Sequence, residues 1–129
     1  MYLMEELVDF NGHSHPMLGI FPGTVRMQER LQMVGYVEAE LLQDSIMGQA
    51  GDRLRGHEFH FSSETAVSRD LSRAFRLTRM RNGQQYPAGY ASGNILGSYL
   101  HLHFAGCQKA AKTFVEHCIA YRDSRSSSS

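Results

Sequence analysis

The apolar residues of this chain fall into short runs of strand length, each closed by a turn signal, and only the last run is long and helical. Residues 17–21 end at Pro22-Gly23. Residues 54–62 follow a polar Gly-rich loop, and residues 73–80 stop at Asn82-Gly83. Alternating or β-rich runs bounded by Gly, Pro and Asn read as strands. Residues 108–122 differ: Ala111, Phe114, Val115, Cys118 and Ile119 recur at helical spacing and form one apolar stripe. Residues 1–8 also carry helical spacing, with Leu3, Met4, Leu7 and Val8 against Glu5 and Glu6. Residues 24–42 fit either a helix or two strands meeting near Val34-Gly35, and the strand pair is favoured. A loop containing Pro87 is expected over 82–89, and a Leu- and Tyr-rich strand within 90–103. Strands with a helix at each end make an α/β layer structure.

Length and charge narrow the classes. The chain has 129 residues, one domain's worth, and no internal repeat or linker is visible. Thirteen basic residues balance thirteen acidic ones, so the chain lacks the field of a nucleic-acid binder. Mean hydropathy is −0.36, and no apolar run approaches the roughly 18 residues that span a bilayer. Glu5, Glu6 and Asp9 stand near the first residue with no basic stretch beside them, so no signal peptide is expected. A soluble cytoplasmic protein is expected, without nucleic-acid or membrane partners. The tail over 123–129 is Ser-rich and expected to be disordered. Cys107 and Cys118 lie eleven positions apart. On one helix that is about 16 Å, too far for a disulfide.

The chemistry on offer is imidazole. Four of the seven histidines sit in two clusters, Gly56-His57-Glu58-Phe59-His60-Phe61 and Ser98-Tyr99-Leu100-His101-Leu102-His103-Phe104. Alternation on a strand places Glu58 with His60 and, on the second cluster, His101 with His103. If those faces meet, four titratable groups converge for acid–base work near neutral pH. Surface imidazoles with no chemical role are the plainer account of either cluster alone. A zinc site is the other, but no cysteine or aspartate lies at ligand spacing beside them, so no metal is expected. Cys118 reads as packing in the helical stripe, and Cys107 as a structural thiol in the turn before it. Arg73, Arg76, Arg79 and Arg81 read as a solvated strand face rather than a site for acidic ligands.

The segments MYLMEELVD, HPMLGIFPGTVRM, RLQMVGYVEAELLQD, RLRGHEFHFS, GYASGNILGSYLHLHFA and AKTFVEHCIAYR occur in order. Together they resemble the C-terminal part of the cobyrinate a,c-diamide synthase family, over residues 1–122. The resemblance implies part of a class I-like glutamine amidotransferase domain, a flavodoxin-like layered sheet with flanking helices but without its first strands. It implies hydrolysis of glutamine to supply ammonia for ATP- and Mg-dependent amidation of the corrin a and c carboxylates in cobalamin biosynthesis. ATP, Mg and the cobyrinate substrate would belong to an N-terminal domain outside this sequence, and this chain itself would hold no cofactor. The first histidine of YLHLHF, here His101, would raise the nucleophilicity of a cysteine. That cysteine would lie in a Gly-Glu-Cys-Gly-Gly turn just before the MYL segment, so none in this chain would be the nucleophile. The chain alone would then be inactive. Two residues after the histidine, where related amidotransferases carry an orienting acid, stands His103, leaving Glu58 or His60 as possible supports. Competing readings are a non-catalytic module that complements a separate chain, a histidine-cluster metal binder, and amidation of a related tetrapyrrole.

Overall fold

The computed structural model describes residues 1–65 and 71–126. The first strands are β1 (Met4–Val8), β2 (Ser14–Pro16) and β3 (Phe21–Met27), followed by β4 (Met33–Leu41), β5 (Arg53–His60) and β6 (Ser62–Thr65). After the segment 66–70 come β7 (Arg73–Arg79), β8 (Gln85–Ser92), β9 (Ile95–Gly97) and β10 (Leu100–Leu102). A 3-10 turn over Phe104–Gly106 leads into the helix α1 (Gln108–Ser126). The result is a mixed α/β structure with two sheets and one C-terminal helix, consistent with part of a class I glutamine amidotransferase-like fold.

The smaller sheet has the order β2-β1-β3-β6, with β1 and β3 parallel and the outer pairings antiparallel. The larger is antiparallel throughout, in the order β10-β5-β4-β7-β8-β9. The chain passes between sheets three times, from β3 to β4, from β5 to β6 and from β6 to β7. Backbone bonds tie the first two passages together: the Gln28 amide donates to Phe61 O at 2.7 Å, and the Gln32 amide to His60 O at 3.0 Å. The main core lies on one face of the larger sheet, where Val37, Ala39, Leu41, Leu54, Phe75 and Leu77 meet Met47 and Ala110. A second core joins the sheets: Met4, Phe21 and Val25 pack on Tyr90 of β8, with the Phe21 and Tyr90 rings 5.5 Å apart.

Several expectations are corrected here. Residues 1–8 do not form a helix, since Met4–Val8 is β1. Met4 and Val8, four apart, share a strand face as readily as a helix face. A stretch so short is a marginal helix in water, whereas pairing with β2 and β3 satisfies its backbone on both edges. Residues 17–21 are not a buried strand: Leu18 and Ile20 are exposed, and only Phe21, the first residue of β3, is buried. Residues 24–42 do contain two strands, but the break spans 28–32 and Gly35 lies inside β4. Their strands also belong to different sheets. Pro87 sits within β8 rather than in a loop, opposite Arg76 of β7. The β9 pairing covers only Tyr90–Ser92, so the side of Pro87 that lacks an N–H faces no strand, as proline requires. Residues 90–103 hold the end of β8 and two further strands rather than one.

The helix forms as expected and runs on to Ser126, into the segment read as a disordered tail; 127–129 lie outside the described residues. Its apolar stripe faces outward. Of α1, Ala110 alone is buried, while Phe114, Val115, Cys118 and Ile119 stay exposed and Phe114 stacks on Phe104. No helix is long and apolar enough to cross a membrane among the described residues.

Leu77, on the central strand β7, has no solvent exposure. Leu77→Ala leaves a cavity in the main core and is expected to cost about 2–5 kcal/mol. A chemical-denaturation midpoint unchanged by the substitution would contradict this placement of the core.

Candidate functional site

The site begins with the sequence of β5. Its buried side presents Leu54, Gly56 and Glu58, and its other side presents Arg53, Arg55, His57 and Phe59. β10 lies antiparallel beside it, with Leu100 opposite Glu58, His101 opposite His57 and Leu102 opposite Gly56. Leu100 and Leu102 pack against the main core. His101, between them, must therefore point the other way, onto the side of β5 that carries His57.

Gly56 sets how closely β10 approaches. A Cβ at this position would stand 2.6 Å from Leu100 Cδ1 and 2.7 Å from the His101 carbonyl oxygen. Only glycine fits there. The approach brings His101 Nδ1 to 3.1 Å from the His57 carbonyl oxygen, and the two imidazole rings to 6.1 Å between centroids. The His57 ring in turn meets Tyr36 of β4 edge-on at 5.6 Å. Tyr36, His57 and His101 thus form a row across three adjacent strands, open to solvent at both ends.

The four residues singled out in the sequence do not converge. Glu58 is buried at 2% exposure and accepts a hydrogen bond from the Tyr86 hydroxyl. His60 stacks on Tyr99, with centroids 4.1 Å apart, and its Nδ1 donates to Ser62 O at 2.8 Å. Both line a cleft of about 580 Å³ between the sheets, together with Glu64, Arg73 and Tyr90. His101 lies on the other side of β5 and outside that cleft. His103 is exposed at the start of the 3-10 turn, and its carbonyl accepts from the Gly106 amide. The expectation that Glu58 and His60 share a face with His101 therefore fails. Cross-strand pairing is residue to residue, so His101 shares a side with whatever stands opposite it, and that is His57. Sequence reasoning missed His57 and Tyr86; the signal for His57 was Gly56, where a second strand can press close.

Two arginines also depart from a solvated face. Arg73 pairs with Glu64 at 2.8 Å and lies over the Tyr90 ring; Arg79 lies over the Tyr86 ring, with its Nε buried and unpartnered. Arg76 keeps to the surface with Glu40. Cys107 donates to Arg55 O at 3.5 Å beside the main core, and Cys118 is exposed on α1. Among the described residues neither thiol is bonded to His101. His101, with an outward ring nitrogen and no bonded thiol beside it, is suited to act as a base toward a group approaching from solvent.

The phenols of Tyr86 and Tyr90 titrate late. Burial, and then the hydrogen bond to Glu58, push the Tyr86 hydroxyl well above the usual tyrosine range; burial and Glu64 do the same for Tyr90. The folded state keeps these protons while the unfolded chain releases them at about pH 10. Their contribution to stability is complete below that value and is lost as pH rises through the raised folded values. Tyr86→Phe should flatten the alkaline fall in stability, measured by denaturation at a series of pH values. An equally steep fall in the variant would contradict the assignment.

Comparison with known proteins shows what the chain is similar to. Residues 1–109 match the CobB/CobQ-like glutamine amidotransferase domain. The chain is 31% identical over 121 residues to cobyrinate a,c-diamide synthase of Caldanaerobacter subterraneus, covering 94% of this chain and 26% of that protein. It is 40% identical over 108 residues to the Listeria monocytogenes enzyme of the same name, covering 81% and 23%. With that of Methanothermobacter thermautotrophicus it is 39% identical over 114 residues, covering 88% and 24%. The chain spans about a quarter of the length of these relatives.

Proposed function

We propose, because the chain belongs to the CobB/CobQ-like glutamine amidotransferase family, that it is the histidine-bearing part of a glutaminase that serves cobyrinate a,c-diamide synthesis. The observation that carries the reading is His101, the first histidine of YLHLHF, held outward on β10 with a free ring edge. In this reading His101 takes the proton of a cysteine thiol as the sulfur attacks the carboxamide carbon of glutamine. The imidazolium then gives that proton to the departing ammonia, leaving a thioester that water cleaves to glutamate and free thiol. The attacking cysteine is neither Cys107, bonded to Arg55 O, nor Cys118, on the outer face of α1; it comes from sequence outside these residues.

The ammonia would amidate the a and c carboxylates of cobyrinate. ATP and Mg²⁺ activate those carboxylates in the resembled reaction, and both are assigned with the corrin to the remainder of the longer protein, in the cytoplasm. No group of three or more His, Cys, Asp or Glu side chains is arranged to hold a metal ion among the described residues. Glu58 and His60 are supports of the scaffold in this reading, through Tyr86 and Tyr99, rather than partners of His101.

The isolated chain is expected to release no ammonia from glutamine, since a missing nucleophile removes several kcal/mol of barrier lowering. In a chimera where residues 1–126 replace the matching segment of a full-length relative, glutaminase turnover should fall by about 10²–10⁴ on His101→Ala. Turnover by the isolated chain that His101→Ala abolishes would place the nucleophile within it and overturn the reading, as would a His101→Ala chimera of full activity.

A further inference from the structure

We infer that the backbone carbonyl of His57 fixes the tautomer of His101, doing for this imidazole what a carboxylate does in a catalytic triad. A carbonyl oxygen only accepts hydrogen bonds. Its partner at 3.1 Å is His101 Nδ1, so in the neutral ring Nδ1 carries the hydrogen. Nε2 is then the bare nitrogen, on the edge of the ring turned away from β5. That is the arrangement a general base needs, because which ring nitrogen is free follows from the bond the other one makes. The inference rests on the glutaminase reading for its catalytic meaning, though not for its geometry.

No carboxylate on the described residues competes for the role. Glu58 is on the opposite side of β5 and already accepts from Tyr86. The position two residues after His101 is His103, exposed and outside the strand. The carbonyl, by contrast, is held by the strand itself. Register places His57 directly opposite His101, and the missing Cβ of Gly56 lets the strands close to that distance. A neutral acceptor orients the ring without placing a full negative charge behind it. His101 is therefore oriented through the same ring nitrogen as in a triad, while its imidazolium gains less electrostatic support. His57 is thus a positioning residue that acts through its main chain.

The experiment is long-range ¹H–¹⁵N correlation spectroscopy of the histidine-labelled chain at about pH 9, where imidazoles are neutral, with the His101 signals identified by their loss in His101→Ala. Nδ1 is expected to be the protonated nitrogen of His101; an Nε2–H pattern would overturn the inference. His57→Ala keeps the carbonyl and should keep the pattern, and a switch to Nε2–H there would assign the role to the side chain instead. Gly56→Ala pushes β10 away and should move His101 toward Nε2–H, and an unchanged pattern in a folded Gly56→Ala protein would contradict the mechanism. If Gly56→Ala does not fold, the other two spectra still decide. No glutamine enters this measurement. An Nε2–H pattern beside an inactive His101→Ala chimera defeats the inference alone, and an Nδ1–H pattern beside a fully active chimera defeats the glutaminase reading alone.

Discussion

The close approach of β10 to β5 at Gly56 is the contact on which the candidate site depends. A side chain there would collide with both Leu100 and the His101 carbonyl. Overpacking of this kind typically costs about 1–3 kcal/mol and is relieved by backbone shifts. β10 contributes only three residues, Leu100–Leu102, and pairs in its sheet with β5 alone. Beyond that pairing it is held by Leu100 and Leu102 against the main core. The absence of one methyl group thus decides how closely the segment bearing His101 lies against β5.

The two sides of β5 then divide the labour. On the core side, Glu58 is nearly removed from water. An unpartnered carboxylate in that position would cost several kcal/mol, and the Tyr86 hydroxyl supplies the needed donor. The Glu64–Arg73–Tyr90 group repeats the device one strand pair away, at the seam between the sheets. Glu58 and the partly buried Glu64 brace the scaffold, and the raised phenols of Tyr86 and Tyr90 are the trace they leave in alkaline solution. On the outer side His57 and His101 face solvent, where a substrate or a nucleophile-bearing segment can reach them.

Much of this was legible in the sequence, and the misreadings share one cause. Strands β5 and β7 and helix α1 carry enough periodic signal to be read alone. The YLHLHF and GHEFH motifs pointed to the family that residues 1–109 match. What a single chain of letters does not carry is which strand lies opposite which. Met4 and Val8 satisfy helix and strand spacing equally, and only the partners β2 and β3 decide between them. Pro87 reads as a loop residue until β9 proves too short to reach it. Alternation holds on β5, where Glu58 and His60 share a side, but β10 ends at Leu102 and leaves His103 outside it; the faces were matched wrongly as well, because the register of β10 against β5 depends on where Leu100 and Leu102 find the core.

The most direct test of this account is the register itself, observed in solution. Nuclear Overhauser contacts between the ring protons of His57 and His101, whose centroids are 6.1 Å apart, together with contacts from Leu100 to Glu58 across the strands, are the predicted result. Contacts from the His101 ring to the Glu58 or His60 side chains in their place would show β10 turned over on β5 and would contradict the account.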